Sequence, residues 1–232
     1  MGIVFYQLFD AESSTFTYLW GDVVDAQAVL IDPVAEKVDR DLRLVEELGL
    51  NLALVLDTHV HADHISGAGE IRRRTGVKTA VSAQAQVDCA DVALEDGQEI
   101  AVGQQRLLVL STPGHTDGCL SFWTGDRVFT GDTLLIRGTG RTDFQNGSAA
   151  RLYTSIQRRL YTLGDDTLVY PGHDYKGQTH STIGLEKKFN ARIPQTCKQA
   201  DFERTMASLK LDLPRKIHEA VPANLACGKK TA

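Results

Sequence analysis

Along the first third of the chain, short apolar runs alternate with one stretch of helical periodicity. Ile3–Phe9, Phe16–Trp20 and Ala28–Ile31 read as strands, separated by the polar segment Asp10–Ser14 and by Gly21-Asp22. From Pro33 to Leu48 the apolar positions Val34, Val38, Leu42, Val45 and Leu48 share one helical face, and Gly49 supplies a stop. Leu52–Leu56 is continuously apolar, the pattern of a strand covered on both faces, and it runs into Asp57-Thr58-His59.

Further along, the pattern predicts a helix over Gly67–Thr75 ending at Gly76, a strand near Val77–Val81 and a helical patch near Ala83–Asp88. Glu99–Val102 and Gln105–Leu110 read as a hairpin about Gly103, followed by strands at Cys119–Trp123 and Arg127–Thr130. A glycine-rich loop spans Asp132–Gly147, then come a helix over Ser148–Leu163 and a strand over Thr167–Tyr170. The remainder reads as helical or irregular, and no internal repeat is evident. Strand runs interrupted by single helices point to a layered α+β or α/β sandwich.

Composition narrows the function classes without choosing one. The chain has 232 residues, 42% hydrophobic and 24% charged, which is ordinary for a globular protein of one or two domains. A net charge of −5 argues against non-specific nucleic-acid binding. No apolar stretch approaches the roughly eighteen residues of a membrane span. The N-terminus lacks a basic region before an apolar one, Tyr6 stands where a myristoylation signal wants Ser or Thr, and Asp10 and Glu12 come early. A cytoplasmic protein is the expectation, with a processed organellar one as the alternative. Cys89, Cys119, Cys197 and Cys227 form no CxxC pair, so the reading is neither a four-cysteine zinc site nor a disulfide scaffold but buried thiols, with Cys227 near an exposed end and open to oxidation.

Histidine placement is what departs from the ordinary. Three of seven histidines fall in His59-Val60-His61-Ala62-Asp63-His64, too dense for one helical face. In an extended or loop conformation, His59 and His61 point to the same side. Three further ligand-type residues each follow an apolar strand and a glycine: Gly114-His115, Gly131-Asp132 and Gly172-His173. Side chains at the ends of neighbouring strands converge, so the six-residue cluster and these three positions predict a metal centre. His180 and His218 lack that context and read as structural or surface histidines.

With His115, Asp132 and His173 following HxHxDH in that order, the chain resembles the metallo-β-lactamase superfamily over nearly its whole length. The resemblance implies an α/β fold, the αββα four-layer sandwich, with residues 1–232 as a single domain. Three segments look like the persulfide dioxygenase branch: Asp132–Gln145, Gly172-His173-Asp174-Tyr175-Lys176-Gly177 and Pro222–Gly228. That branch implies one Fe(II) per chain, held by His59, His115 and Asp132. Two histidines and one carboxylate are also the ligand set that physical reasoning links to non-haem oxygenases. The implied reaction converts glutathione persulfide, O₂ and water to glutathione and sulfite. His61, Asp63, His64 and His173 would then hydrogen-bond around the iron rather than ligate it.

Glutathione carries two carboxylates and an ammonium, so Arg141, Tyr175 and Lys176 are the candidate substrate contacts, with Arg137 a weaker one. Arg72-Arg73-Arg74 reads as an exposed helix face. Hydroxyacylglutathione hydrolase, a dinuclear thioesterase, is the rival enzyme, because it shares the whole motif and its ligands are all retained here. A non-catalytic metal-binding module is the rival of a different class. No nucleic-acid or membrane partner is expected, and a homodimer is expected by family analogy.

Overall fold

The computed structural model describes residues 2–228. By internal contacts the chain falls into two compact units: one runs to Leu94 and adds Glu99–Leu107 and the stretch from Leu213, and the other holds Glu95–Gln98 and Leu108–Asp212.

The first unit is organised by a six-stranded sheet of β1 (Ile3–Asp10), β2 (Thr15–Asp22), β3 (Gln27–Ile31), β4 (Asn51–Leu56), β5 (Thr79–Ser82) and β6 (Val92–Leu94), in that order. The pairs β1–β2 and β2–β3 are antiparallel, whereas β3–β4, β4–β5 and β5–β6 are parallel. Parallel pairing needs crossover connections, usually helical: α1 (Val38–Glu47) joins β3 to β4 and α2 (Ala68–Thr75) joins β4 to β5. Their inward residues Val38, Val45, Ala68 and Ile71 bury against Leu19, Leu30 and Val55 of the sheet. Helix α1 starts later than its periodicity predicts, because Asp32 takes φ 52° and Val34 bridges to Ser66 before a short 3-10 turn at Ala35–Lys37. The patch at Ala83–Asp88 is likewise only a 3-10 turn, Ala83–Ala85. The short edge strand β6 carries too few residues for a period to register.

The second sheet has the order β12-β11-β10-β9-β8-β7, with β7 (Glu99–Val102), β8 (Gln105–Ser111), β9 (Leu120–Trp123), β10 (Arg127–Gly131), β11 (Leu168–Pro171) and β12 (Ser181–Thr182). Strands β8–β9 and β9–β10 pair antiparallel and β10–β11 parallel, so β8, β10 and β11 run the same way. Helix α3 (Ala149–Ser155) continues as a π-turn over Ile156–Leu160, in place of the single long helix expected. Leu152, Ile156 and Leu160 from this stretch join Val128, Val169, Ile183 and Phe202 in the unit's core. Helices α4 (Ile183–Phe189) and α5 (Gln199–Ser208) complete it, while α6 (Ile217–Leu225) belongs to the first unit. The fold is α/β with two sheets and six helices among the described residues, as expected.

Candidate metal centre

In the first unit, polar residues gather where parallel strands end, the edge at which α/β sheets bind ligands. Strand β3 delivers Asp32 and β4 delivers Asp57, Thr58 and His59. Asp32 is buried and organises the group. Its Oδ1 accepts from the Thr58 amide at 2.7 Å and its Oδ2 from the Thr58 hydroxyl at 2.9 Å. The Thr58 hydroxyl has one proton and gives it to Asp32, so its 2.9 Å contact with His59 is one in which His59 Nδ1 donates. Nε2 is then the unprotonated ring nitrogen of His59, the form a metal requires.

His61 points its Nε2 at Asp32 Oδ1, 3.1 Å away, and its buried Nδ1 has no hydrogen-bond partner among the described residues. Burial depresses the His61 pKa, but the neighbouring carboxylates, Asp32 foremost, outweigh it and raise the value to about 9. Asp57, buried and accepting from the Ser66 hydroxyl, is pushed up to about 7 chiefly by burial, against the pull of His61. Asp63 Oδ2 accepts from His64 Nδ1 at 2.9 Å and from the Thr15 hydroxyl at 3.1 Å. His61, Asp63 and His64 offer ligand atoms within 4.8 Å of one another. The three rings form a row, with centroid spacings of 4.2 Å for His59–His61 and 4.3 Å for His61–His64.

In the second unit, β8, β10 and β11 deliver His115, Asp132 and His173 from strand ends that point the same way. His115 Nδ1 lies 2.8 Å from the Arg141 carbonyl, which can only accept. The ring proton is therefore on Nδ1, and Nε2 faces Asp132 Oδ2 at 3.6 Å. His173 Nε2 stands 3.6 Å from the other oxygen, Oδ1, which is buried. Both separations exceed a hydrogen bond and suit donor atoms arranged about a shared centre. Two glycines make this possible. Gly114 has φ 141° and a side chain there would overlap the backbone of Leu152, while a Cβ on Gly172 would stand 2.8 Å from Asp132 Oδ1.

The expected substrate contacts fare unevenly. Arg141 directs Nε and Nη2 to the two oxygens of Asp143, at 2.6 and 2.7 Å, and its Nη1 and Nη2 also donate to the Asp212 and Leu211 carbonyls. Four of its five N–H bonds are thus engaged, so it holds its loop more than it waits for a carboxylate. Arg137 donates to the buried Glu186 through its amide and its guanidinium. Tyr175 is exposed and stacks on His173 with centroids 5.9 Å apart, and Lys176 is exposed beside it. His180 and His218 are exposed and outside both groups, as expected.

The cysteine reading needs correcting: Cys89 and Cys227 form a disulfide, while Cys119 is buried and Cys197 half-buried. Separated by 138 positions, the pair carries no local signal. Asp32, Asp57 and Asn224 were also missed. Ile31-Asp32 and Leu56-Asp57 have the same strand-end context that singled out Asp132, and that signal was available.

The family model for the metallo-beta-lactamase superfamily matches residues 12–173. Human "Persulfide dioxygenase ETHE1, mitochondrial" is 46% identical over 231 residues, covering 99% of this chain and 90% of that protein. A crystal structure of ETHE1 from Myxococcus xanthus is 55% identical with a TM-score of 0.95, covering 97% of this chain and 100% of that one. A metallo-beta-lactamase from Staphylococcus aureus shares the fold at TM-score 0.91 with 25% identity. The histidine and carboxylate geometry and these likenesses agree: the chain belongs to the metallo-β-lactamase superfamily and, within it, to the persulfide dioxygenase family.

Proposed function

We propose that this protein is an Fe(II)-dependent persulfide dioxygenase that converts glutathione persulfide, O₂ and water to glutathione and sulfite. The observation that carries this reading is the matched state of two histidines: His59 through Thr58, and His115 through the Arg141 carbonyl, each keep the proton on Nδ1 and present Nε2. His59, His115 and Asp132 would hold one iron, a set of two imidazoles and one carboxylate that leaves positions open for substrate and oxygen. Bound there, iron would supply the redox chemistry that joins oxygen to the sulfane sulfur.

The chain's own residues then position and protonate. The likeness to persulfide dioxygenases supports a hydrogen-bonding role for His61, Asp63 and His64 around a single metal, with Asp63 Oδ2 accepting from His64 and Thr15. His61 is held by Asp32 beside His59. His173, stacked on Tyr175, faces the free oxygen of Asp132. Exposed Tyr175 and Lys176 suit the carboxylates of glutathione, and Arg141 shapes the rim with one N–H left to contribute.

We further propose a single functional domain over residues 1–232, acting in the cytoplasm as a homodimer. No helix among the described residues is long and apolar enough to cross a membrane. The human relative's name carries "mitochondrial", and fractionation of the native host decides the compartment. The central test is O₂ uptake with fresh glutathione persulfide alongside metal analysis. One iron per chain and stoichiometric sulfite are expected; two zinc ions with thioesterase activity and no O₂ uptake would sink the reading.

A further inference from the structure

Three backbone groups of the histidine loop end on one side chain. Asn224 Nδ2 donates to the carbonyls of His61 and His64, each at 2.9 Å, and Asn224 Oδ1 accepts from the Ser66 amide at 2.8 Å. Asn224 is buried near the end of α6, and Cys227 follows three positions later. The apolar seat of α6 is small: Ala220 and Ala223 meet Ile65 and the partly buried Ala35. What fastens its end covalently is the disulfide to Cys89. Cys89 is itself anchored to α2, since Arg72 donates to its carbonyl at 2.8 Å and pairs with Asp91 at 2.8 Å. A cavity of about 20 Å³, lined by Cys227, Asn224, Ser66 and Asp57 among others, connects the disulfide's surroundings to the strand-end carboxylate.

We infer that Cys89–Cys227 is a redox-operated clamp: closed, it seats Asn224 on the 61–66 loop, and opened to the dithiol it releases that loop. Both cysteines are half-exposed, within reach of small thiols and persulfides. Opening consumes two small thiols: one thiolate attacks a sulfur of the pair and displaces the other cysteine, and a second thiol resolves the mixed disulfide, giving the dithiol and RSSR. Closing consumes one persulfide. A cysteine thiolate attacks its outer sulfur and displaces RSH, leaving a cysteine persulfide. The second cysteine then attacks the cysteine-bound sulfur and expels sulfide. The net change is dithiol plus RSSH to disulfide plus RSH plus H₂S, with the sulfane sulfur reduced and the cysteines oxidised. Persulfide as oxidant rests on the proposed function; the clamp itself does not.

The test follows hydrogen exchange at the Ser66 amide in full-length, metal-loaded protein, as purified and after reduction with a phosphine and desalting. Reduction is expected to raise the thiols titrated after unfolding from two to four and to speed Ser66 exchange in the folded protein by about tenfold or more. The variant Cys89→Ser is expected to exchange fast in both states. Four thiols before reduction, or unchanged Ser66 exchange after it, overturns the clamp. One equivalent of glutathione persulfide, added to reduced protein without O₂, is expected to release one equivalent of sulfide and restore slow exchange. Absence of sulfide overturns persulfide as the oxidant. Because this arm excludes O₂, its outcome is separate from whether the protein shows dioxygenase turnover.

Discussion

His115 Nδ1 donates to the backbone carbonyl of Arg141, 2.8 Å away, and that same arginine's guanidinium is forked onto Asp143. The arginine therefore acts on the metal centre through its main chain while its side chain holds the loop in place. Removing the fork frees the carbonyl that orients His115, and groups that orient metal ligands typically account for about 10–100-fold in metal affinity or activity. Arg141→Ala is expected to lower iron occupancy and kcat together by that order, as measured by metal analysis and O₂ uptake. Full iron occupancy with only KM raised would instead make Arg141 a substrate clamp.

Charge on His61 gives metal-free protein a defined pH response. Its pKa is raised from an ordinary 6.5 to about 9 by Asp32 and its neighbours acting against burial. A group raised on folding contributes stability that is complete below its unfolded pKa and is lost as pH climbs through the folded one. Thermal melting of metal-free protein should therefore show this contribution draining away between pH 6.5 and about 9. Asp32→Asn should flatten that slope. An equal slope in both proteins would place the response elsewhere.

Cys119 is fully enclosed, and burial pushes its thiol up to about 12 despite the hydrogen bonds from Thr116. Thiolate is the reactive form. Native protein treated with iodoacetamide at pH 8 should leave Cys119 unmodified while the half-buried Cys197 is labelled first, as read by peptide mass spectrometry. Early labelling of Cys119 would contradict the burial described.

Glu186 is fully buried on α4, where its carboxylate receives Arg137, Ser181 and Asn190. Breaking a buried pair by deleting one partner leaves the rest unsatisfied, at a cost of about 3–5 kcal/mol. Glu186→Ala should lose stability of that order in urea unfolding, and Arg137→Ala should lose less, since that arginine is partly exposed. An Arg137→Ala protein with a raised KM and unchanged stability would make Arg137 a substrate contact instead.

Much of the centre was legible because its signals are local. An apolar strand, a glycine and a ligand-type side chain recur at His115, Asp132 and His173, and HxHxDH follows β4 directly. Strand ends converge by the geometry of a sheet, so the pool of candidate ligands is legible in local pattern, while the choice of His59, His115 and Asp132 among them comes from the family resemblance. The same rule applied to Ile31-Asp32 would have found the carboxylate that fixes both Thr58 and His61.

The sequence by itself determined much of the strand–helix alternation, the candidate ligand types and their order along the chain. Tertiary structure decided three other things: the protonation of His59 and His115, the engagement of Arg141 and Arg137 by Asp143 and Glu186, and the joining of Cys89 to Cys227. Each of these depends on which hydrogen-bond acceptor or thiol stands within about 3 Å in space, and separations of 26 residues for His115–Arg141 and 138 for the disulfide leave no trace in local pattern.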